Sequence, residues 1–343
     1  MPPRGRKRYR YRLRRLTPLA FAIGVAGLAG AWAGSHQSST SLAAAAAPPA
    51  AKRQVAPVTP KPKVVVRRKA VAKPKAVVKR KVAAAPERLL VGGSMISHTF
   101  SPGLLGASAV LVDGKTGRVL WAKHSHERRH VASTTKIMTA LLALRVLRPQ
   151  EIVTVDKSVP RVPLVREGLR AGERVEAWKL FYSMLLYSGN DDALALAIAA
   201  GGDKWTFIRS MNAEAKRLGL HDTHFSTPSG VRDADNYSSA WDLAALTRVA
   251  MRSPRFRQIV DTRVKHVSWS APTYAKIYVN NNRLLGTYRG ANGVKTGYTH
   301  KAGPCLVASA TRGSTSLIAV VLDSPNMYDD ARRLLDFGFA SLG

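Results

Sequence analysis

Every acidic residue of this 343-residue chain lies at or after Glu87, whereas twenty of its lysines and arginines precede that position. Residues 35–86 consist mostly of Ala, Pro, Val, Lys and Arg and contain no Phe, Trp or Tyr. Such a segment cannot bury enough apolar surface to offset the entropy lost on ordering, so we predict a disordered basic linker. We therefore expect the folded part within residues 87–343, where about 250 residues suffice for one sizeable core.

The first 34 residues have the layout of an export segment. Residues 1–15 carry eight Arg or Lys, an apolar stretch follows at 19–29, and Ala-Trp-Ala at 31–33 supplies the small residues of a cleavage site. An uncleaved signal anchor is the alternative, because residues 16–34 are nearly long enough to span a bilayer. Both interpretations place the rest of the chain outside the cytoplasm, in a periplasm or cell wall.

The positive charge of the linker allows two kinds of partner. Its Lys-Pro-Lys and Arg-Lys-Ala pieces are similar to the basic tails of chromatin proteins. An exported chain meets no genome, however, so we expect no nucleic-acid partner. We expect instead that the segment lies against the anionic lipid headgroups of a membrane surface or the acidic polymers of the cell envelope.

Ser133 is the first candidate for a reactive group. It precedes a run with helical apolar spacing, so it lies at or near a helix N-terminus. Lys136 follows three residues later, which is nearly one turn, so both side chains leave the same face. A serine hydroxyl is a weak nucleophile until a base takes its proton, and a lysine that its surroundings keep neutral can be that base. The unpaired N–H groups of a helix start can also hold a developing oxyanion.

This Ser-x-x-Lys pair is weak evidence by itself, since serine is a favoured N-cap and lysine is ordinary on a helix surface. Two more elements follow in order, Ser-Gly-Asn at 188–190 and Lys-Thr-Gly at 295–297. Together they match the motif set of penicillin-binding proteins and serine β-lactamases. Over residues 107–339 the chain resembles the low-molecular-weight D-alanyl-D-alanine carboxypeptidases of serine peptidase family S11. An earlier Lys-Thr-Gly at 115–117 precedes the nucleophile and is interpreted as a hairpin turn.

The resemblance implies catalytic roles for five residues. Ser133 attacks the carbonyl between two D-alanines, Lys136 takes its proton, and the terminal D-alanine leaves. Ser188 relays a proton towards the leaving amine. Lys295 keeps Lys136 neutral through its positive charge. The N–H groups of Ser133 and Tyr298 form the oxyanion hole, and water then releases the acyl group from the enzyme.

The resemblance also implies how the substrate is bound. Asn190 hydrogen-bonds the substrate backbone, and Lys295 attracts the terminal carboxylate. Thr296 binds that carboxylate through its hydroxyl, and Gly297 lets the substrate approach the strand edge. The expected partners are peptidoglycan stem peptides and the β-lactams that mimic them. No metal and no cofactor is needed, and the histidines lack a ligand spacing such as H-E-x-x-H.

The remaining patterns predict an α+β fold. Strands alternating around a Gly-rich turn indicate a hairpin at 107–122. Helices between this hairpin and late antiparallel strands favour an antiparallel sheet packed between helical layers, the serine β-lactamase and DD-peptidase architecture that the resemblance implies. Further strands are predicted at 152–155, 264–269, 293–299, 305–311 and 316–322, and helices from Ser133 and at 178–187, 191–200, 205–218, 240–251 and 327–339. Cys305, the single cysteine, is expected in a buried strand.

Three other functions compete with a carboxypeptidase. An endopeptidase that cuts D-alanyl cross-links uses identical machinery and ranks second. A class A β-lactamase needs a glutamate as deacylation base, and the loop at 161–176 has no Glu followed three residues later by Asn. A non-enzymatic wall-binding protein would have lost a motif residue, yet all are present. One departure from the family is that residues 323–326 (Asp-Ser-Pro-Asn) lack the arginine that some members use to bind the substrate carboxylate.

Overall fold

The computed structural model describes residues 103–231, 235–269 and 275–342. The predicted export segment and basic linker, residues 1–86, lie outside the described residues. Within the described ranges, no helix is both long and apolar enough to cross a membrane.

The described part of the chain contains nine β-strands and seven α-helices. The strands are β1 (Ser108–Asp113), β2 (Val119–Lys123), β3 (Ile152–Thr154), β4 (Arg174–Glu176), β5 (Val264–Val267), β6 (Lys276–Val279), β7 (Ala291–Thr299), β8 (Gly303–Arg312) and β9 (Thr315–Leu322). The α-helices are α1 (Lys136–Val146), α2 (Ala177–Tyr182), α3 (Asn190–Gly201), α4 (Lys204–Arg217), α5 (Ala240–Ala250), α6 (Pro254–Asp261) and α7 (Met327–Leu342).

Five strands form one antiparallel sheet in the order β2-β1-β9-β8-β7. The first hairpin joins the last three strands through the pairing of β1 with β9. Strand β7, which carries the second Lys-Thr-Gly, forms one edge of this sheet. The two remaining sheets are two-stranded and pair β3 with β4 and β5 with β6.

Both faces of the main sheet are covered by helices, because successive strand residues point to opposite sides. On β9, Leu317, Ala319 and Val321 belong to the core beneath α7. The alternate residues of β9 belong to the larger core beneath the other helices. Double coverage explains why the central strands are apolar at consecutive positions, and Cys305 is buried among them as predicted. The predicted α+β fold is thus confirmed.

Helix α1 lies in the middle of the larger helical layer, where it packs against α3 and α5. Every residue in its first six positions is buried, including the charged one, Lys136. A helix that is buried on all sides is normally apolar all round, so the lysine is the exception that the packing must accommodate.

Three short elements were missed by the sequence patterns: β4, β6 and α6. Strands β4 and β6 are three and four residues long and carry charged residues, so little periodicity marks them. Each is defined by its partner across the hairpin, which a local pattern does not contain. Helix α6 is amphipathic and begins at Pro254, after Ser253 caps it by accepting a hydrogen bond from the N–H of Phe256.

The helix predicted at 178–187 is divided in the structure. Helix α2 passes into a wider π-helical turn, Ser183–Tyr187. This turn ends where the N–H of Ser188 donates to the carbonyl of Ser183 at 2.9 Å. Ser188 then adopts a left-handed backbone with φ of 78°. Such turns often occur at functional sites, and here the turn brings a residue of the Ser-Gly-Asn motif to the edge of a cleft.

Candidate active site

Ser133 lies in a short 3₁₀ turn, Ala132–Thr135, that leads directly into α1. The hydroxyl of Thr134 donates to the carbonyl of Val131 at 2.7 Å and tightens this turn. The side of Ser133 that remains open faces a cleft of about 960 Å³. The sequence placed Ser133 at a helix start, and the structure places it one turn ahead of the α-helix proper.

Lys136 is fully buried behind Ser133. Its Nζ lies 2.8 Å from Oγ of Ser133, 2.7 Å from Oδ1 of Asn190 and 3.1 Å from the carbonyl oxygen of Ser229. Burial, and then the nearby charge of Lys295, hold the pKa of Lys136 well below its ordinary value, against the opposing influence of Asp192 and Asp191. The amine therefore has the position and the electrostatic surroundings of a base.

The carbonyl of Ser229 belongs to a loop that sequence reasoning did not assign to the site. Its Pro228 carbonyl accepts a hydrogen bond from the hydroxyl of Thr139 at 2.6 Å, which fastens the loop to α1. Gly230 has φ of +77°, and a Cβ there would lie 2.6 Å from Oγ1 of Thr135. Glycine is thus required for this loop to approach the Ala132–Thr135 turn closely enough to contact Lys136.

Lys295 lies on β7 and is 1% exposed. Its Nζ donates to the carbonyl of Thr296 at 3.1 Å. Burial lowers the pKa of Lys295 to about 7. Lys295 is thus a second buried amine near Lys136, and its positive charge makes the protonated form of Lys136 less favourable.

Residues 188–190 connect the π-helical turn to α3. Ser188 lines the cleft, whereas Asn190 is 1% exposed and lies behind it. Both polar atoms of the Asn190 amide form hydrogen bonds within the protein. Oδ1 accepts from Lys136, and Nδ2 donates to the carbonyl of Pro163 at 3.1 Å. The contacts of Asn190 are thus those of a residue that orients Lys136.

Strand β7 forms the wall of the cleft opposite Ser188. Thr296, Gly297 and Tyr298 line it, and the Tyr298 side chain is 61% exposed. A Cβ on Gly297 would lie 3.0 Å from the N atom of Ser133 and from the carbonyl oxygen of Val131. The glycine therefore permits close packing of β7 against the Ala132–Thr135 turn.

The first Lys-Thr-Gly, at 115–117, lies away from this cleft. It forms the turn after β1, where Asp113 accepts from the N–H of Lys115 at 2.8 Å. That turn adjoins the start of β9, because the N–H of Gly114 donates to the carbonyl of Ser316. Ser133 and residues 296–298 adjoin the opposite end of the sheet.

Several cleft residues escaped the sequence patterns because they come from segments without a motif. Arg332 on α7 pairs with Asp329, with Nη1 and Oδ1 2.9 Å apart. Arg283 has its guanidinium 5.7 Å from the ring centre of Tyr328, and no carboxylate in the described part of the chain forms an ion pair with it. Both arginines line the cleft that also contains Ser133 and Thr296.

The fold is that of the DD-peptidases. The crystal structure of the Streptomyces K15 DD-transpeptidase is 34% identical and superposes with a TM-score of 0.67, over 70% of this chain and 99% of that one. The family model described as D-alanyl-D-alanine carboxypeptidase matches residues 98–326. The chain therefore belongs to this family, serine peptidase family S11.

The similar proteins of this family are named for one of two activities, carboxypeptidase or endopeptidase. The D-alanyl-D-alanine carboxypeptidase DacF of Bacillus subtilis is 36% identical over 242 residues, which are 68% of this chain. The D-alanyl-D-alanine endopeptidase of Escherichia coli is 33% identical over 241 residues, 68% of this chain and 77% of that protein. The match spans 62% of the length of the Bacillus protein.

Replacing Lys295 by Met should raise the free energy of unfolding at pH 7 by about 4 kcal/mol, because a buried and partly protonated amine is exchanged for an apolar chain. The pKa is about 7 in the folded protein and about 10.4 in the unfolded chain. At a pH between these two pKa values, Lys295 binds a proton in the unfolded chain but not in the folded protein. The free energy of unfolding of the wild type therefore rises with pH in this range. The advantage of the Met variant should therefore shrink by pH 10, as measured by urea unfolding.

The matched control is Lys115→Met, at an exposed turn position. This variant should change the unfolding free energy little at either pH. An equal gain at pH 7 and pH 10 for Lys295→Met would contradict the depressed pKa of Lys295.

Proposed function

We propose that the chain is a serine-type D-alanyl-D-alanine carboxypeptidase that trims peptidoglycan stem peptides through an acyl-enzyme on Ser133. The observation that carries the proposal is the 2.8 Å contact between Nζ of Lys136 and Oγ of Ser133 at the base of the cleft. A serine and an adjacent neutral amine form the activated nucleophile that acyl transfer requires.

The hydrogen-bonding capacity of a neutral amine fits the three contacts of Lys136. A neutral amine has two N–H donors and one lone pair. The carbonyl oxygens of Asn190 and Ser229 accept the two donors, which leaves the lone pair for the proton of Ser133. Proton transfer to Lys136 then accompanies attack on the carbonyl carbon of the penultimate D-alanine.

The later steps use the walls of the cleft. The N–H groups of Ser133 and Tyr298 hold the oxyanion of the tetrahedral intermediate. Ser188 passes a proton from Lys136 to the amine of the terminal D-alanine, which leaves. Water, activated by the neutral amine, then hydrolyses the ester on Ser133.

Lys295, which we expect to attract the substrate carboxylate, is 1% exposed and is not among the described residues that line the cleft. Direct contact with the carboxylate needs a further cation, and residues 323–326 offer none. We assign this contact to Arg283, acting with the hydroxyl of Thr296. The Arg283 guanidinium borders the cleft against the Tyr328 ring, while the neighbouring Arg332 is held by Asp329. A planar guanidinium can bind a carboxylate through two parallel hydrogen bonds.

Arg283→Ala should therefore raise the KM for a peptide ending in D-Ala-D-Ala about tenfold, with a smaller effect on kcat. The same substitution should abolish the preference for a free C-terminal carboxylate over its amide. Arg332→Ala is the matched control and should leave that preference in place. Kinetics with the acid and amide forms of one peptide measure both effects, and an unchanged preference in Arg283→Ala would refute the assignment.

The alternative activity is cleavage of D-alanyl cross-links, for which the same machinery suffices. This alternative is supported by a relative in the family, the D-alanyl-D-alanine endopeptidase of Escherichia coli. The decisive experiment is mass spectrometry of pentapeptide and cross-linked muropeptides after incubation with the protein. Loss of one alanine from the pentapeptide supports the carboxypeptidase, whereas conversion of dimers to monomers supports the endopeptidase.

A β-lactamase needs a base for rapid deacylation, and class A enzymes use a glutamate for it. The first glutamate of the 161–176 loop is Glu167. Its carboxylate is buried in an ion pair with Lys276 and accepts from Ser183 at 3.0 Å. Glu167 is not among the residues of the described chain that line the cleft. Glu167 therefore cannot activate water at the ester on Ser133. The opened penicillin ring also stays attached and blocks the path by which water activated by Lys136 would reach this ester, so the penicillin ester should turn over slowly.

Intact-protein mass after brief penicillin exposure should show one adduct that persists for many minutes. Ser133→Ala and Lys295→Ala should lose the adduct, since the first removes the nucleophile and the second removes a charge that keeps Lys136 neutral. Lys115→Ala should keep it. Equal losses of the adduct in Lys115→Ala and Lys295→Ala would refute the assignment of the active-site Lys-Thr-Gly to β7. Rapid release of the adduct with many turnovers would favour a β-lactamase.

We also propose the organisation of the whole chain: a signal peptide or anchor at 1–34, a basic linker at 35–86 and the catalytic domain at 87–343. The charge of the first two segments supports an extracytoplasmic site near an anionic surface. The full chain should sediment with anionic vesicles at low salt, and residues 87–343 should sediment less. Equal sedimentation of both proteins would contradict this role for the basic segment.

A further inference from the structure

A buried polar cluster lies behind the Ser-Gly-Asn turn and takes no part in the steps above. Asp192 on α3 is fully buried, two residues after Asn190. Its Oδ2 lies 2.5 Å from Oγ of Ser183, and its Oδ1 has no hydrogen-bond partner among the described residues. Oγ of Ser183 also lies 3.0 Å from Oε2 of Glu167.

The number of protons in this cluster is fixed by its geometry. The Ser183 hydroxyl has one proton, so it can donate to one of the two carboxyl groups only. The other contact requires a proton on a carboxyl group. Glu167 forms an ion pair with Lys276 and is therefore the ionised member. The second proton thus belongs to Asp192, which donates to Ser183, and Ser183 donates to Glu167.

The unpartnered oxygen agrees with this count. As part of an ionised carboxylate, a buried Oδ1 without a donor would be very unfavourable. As the carbonyl oxygen of a neutral acid it is far less so. Burial, and then the charge of Asp191, raise the pKa of Asp192 well above its ordinary value, against Ser183 and Lys136. The titratable groups that face the cluster are Lys136 on α1, Asp191 on α3, Glu167 on the loop, and Lys276 and Tyr278 on β6.

We infer that Asp192 is a positioning residue of the active site, which acts as a neutral hydrogen-bond donor and fixes the 163–169 loop through Ser183 and Glu167. That loop holds Asn190 in return. The N–H of Asn190 donates to the carbonyl of Val165 at 2.9 Å, and its Nδ2 donates to Pro163. Since Oδ1 of Asn190 contacts Lys136, the Asp192 donor chain ends at the base of the reaction.

The neighbouring Asp191 holds the same loop in the opposite charge state. Its carboxylate accepts from the N–H groups of Glu167, Gly168 and Leu169 at 2.8, 2.8 and 3.1 Å. Three donors on one carboxyl group match an ionised acid, which has only acceptors. Two adjacent aspartates thus fix one loop, one as an acceptor and the other as a donor.

Gly189 shows how closely this chain packs against the motif. A Cβ on Gly189 would collide with Oδ2 of Asp192 and lie 3.1 Å from Oγ of Ser183. The neutral acid therefore occupies the space beside the turn that a side chain between Ser188 and Asn190 would need. This contact gives a physical reason for glycine at the centre of the motif.

The test compares Asp192→Asn, Asp192→Ala and Asp191→Asn. Asparagine at 192 supplies an N–H donor in place of the O–H donor of the neutral acid, in nearly the same shape, so penicillin acylation should stay within about threefold of wild type. Asp192→Ala removes the donor and should slow acylation about 100-fold. Asp191→Asn should also slow it, because one amide oxygen replaces two acceptors. Circular dichroism confirms that each variant is folded.

The pH profile separates positioning from a charge effect. If Asp192 is neutral, Asp192→Asn leaves the acid limb of acylation, set by Lys136, at the same pH. A shift of that limb to lower pH, or a loss in Asp192→Asn as large as in Asp192→Ala, would overturn the inference. The role of Asp192 in catalysis rests on the function proposed above.

Infrared spectroscopy tests the protonation state of Asp192 without an activity measurement. The difference spectrum of wild type minus Asp192→Asn at neutral pH should contain the carbonyl band of a protonated carboxylic acid. A carboxylate band in its place would overturn the inference even if the enzyme acylates normally. Absence of acylation in wild type, with the acid band present, would instead refute the proposed function.

Discussion

The amine of Lys136 is buried among three oxygen atoms that carry no formal charge: the hydroxyl of Ser133, the amide of Asn190 and the carbonyl of Ser229. A buried lysine beside a carboxylate would remain an ammonium ion. Neutral acceptors and the nearby Lys295 favour the free amine instead. Nζ of Lys136 needs hydrogen-bond partners in the protein interior. This need explains how the 3₁₀ turn, the π-helical turn and the 228–230 loop are arranged around it.

Burial of two lysines opposes folding, and the surrounding architecture compensates for it. The main sheet is covered on both faces, and the nucleophile turn lies where the larger helical layer meets the edge strand β7. Lys136 is fully buried there, while the cleft stays open at Ser133. The site is therefore a place where the fold gives up stability to hold a buried amine with a lowered pKa.

Local patterns identified the parts of the site that lie within one turn or one strand. Ser133 and Lys136 were found because three residues of helix determine their separation, and β7 was found from its motif. The contact of Asn190 with Lys136 joins residues 54 positions apart, and no spacing rule describes it. The place of Arg283 at the cleft and the contact of Ser229 with Lys136 also escaped prediction, because both residues come from loops whose place is set by tertiary packing.

The acidic pair after the motif shows the same limit more sharply. In the sequence, Asp191 and Asp192 are simply the acids expected in the first turn of a helix. Their surroundings make them different: one accepts three N–H donors from a loop, and the other is fully buried beside a hydroxyl. Burial and the number of donors, which depend on segments more than twenty residues away, decide the charge of each.

The pairing of β1 with β9 has a consequence for the order of events during synthesis. Leu322 of β9 lies opposite Ser108, and nearby Gly106 bonds to Asp330, 224 positions along the chain. The central pair of strands therefore cannot form until nearly the whole polypeptide has been made. Contacts of such long range form late and slowly. Strand β1 therefore stays without its partner strand β9 for most of the time that the described residues take to be synthesised.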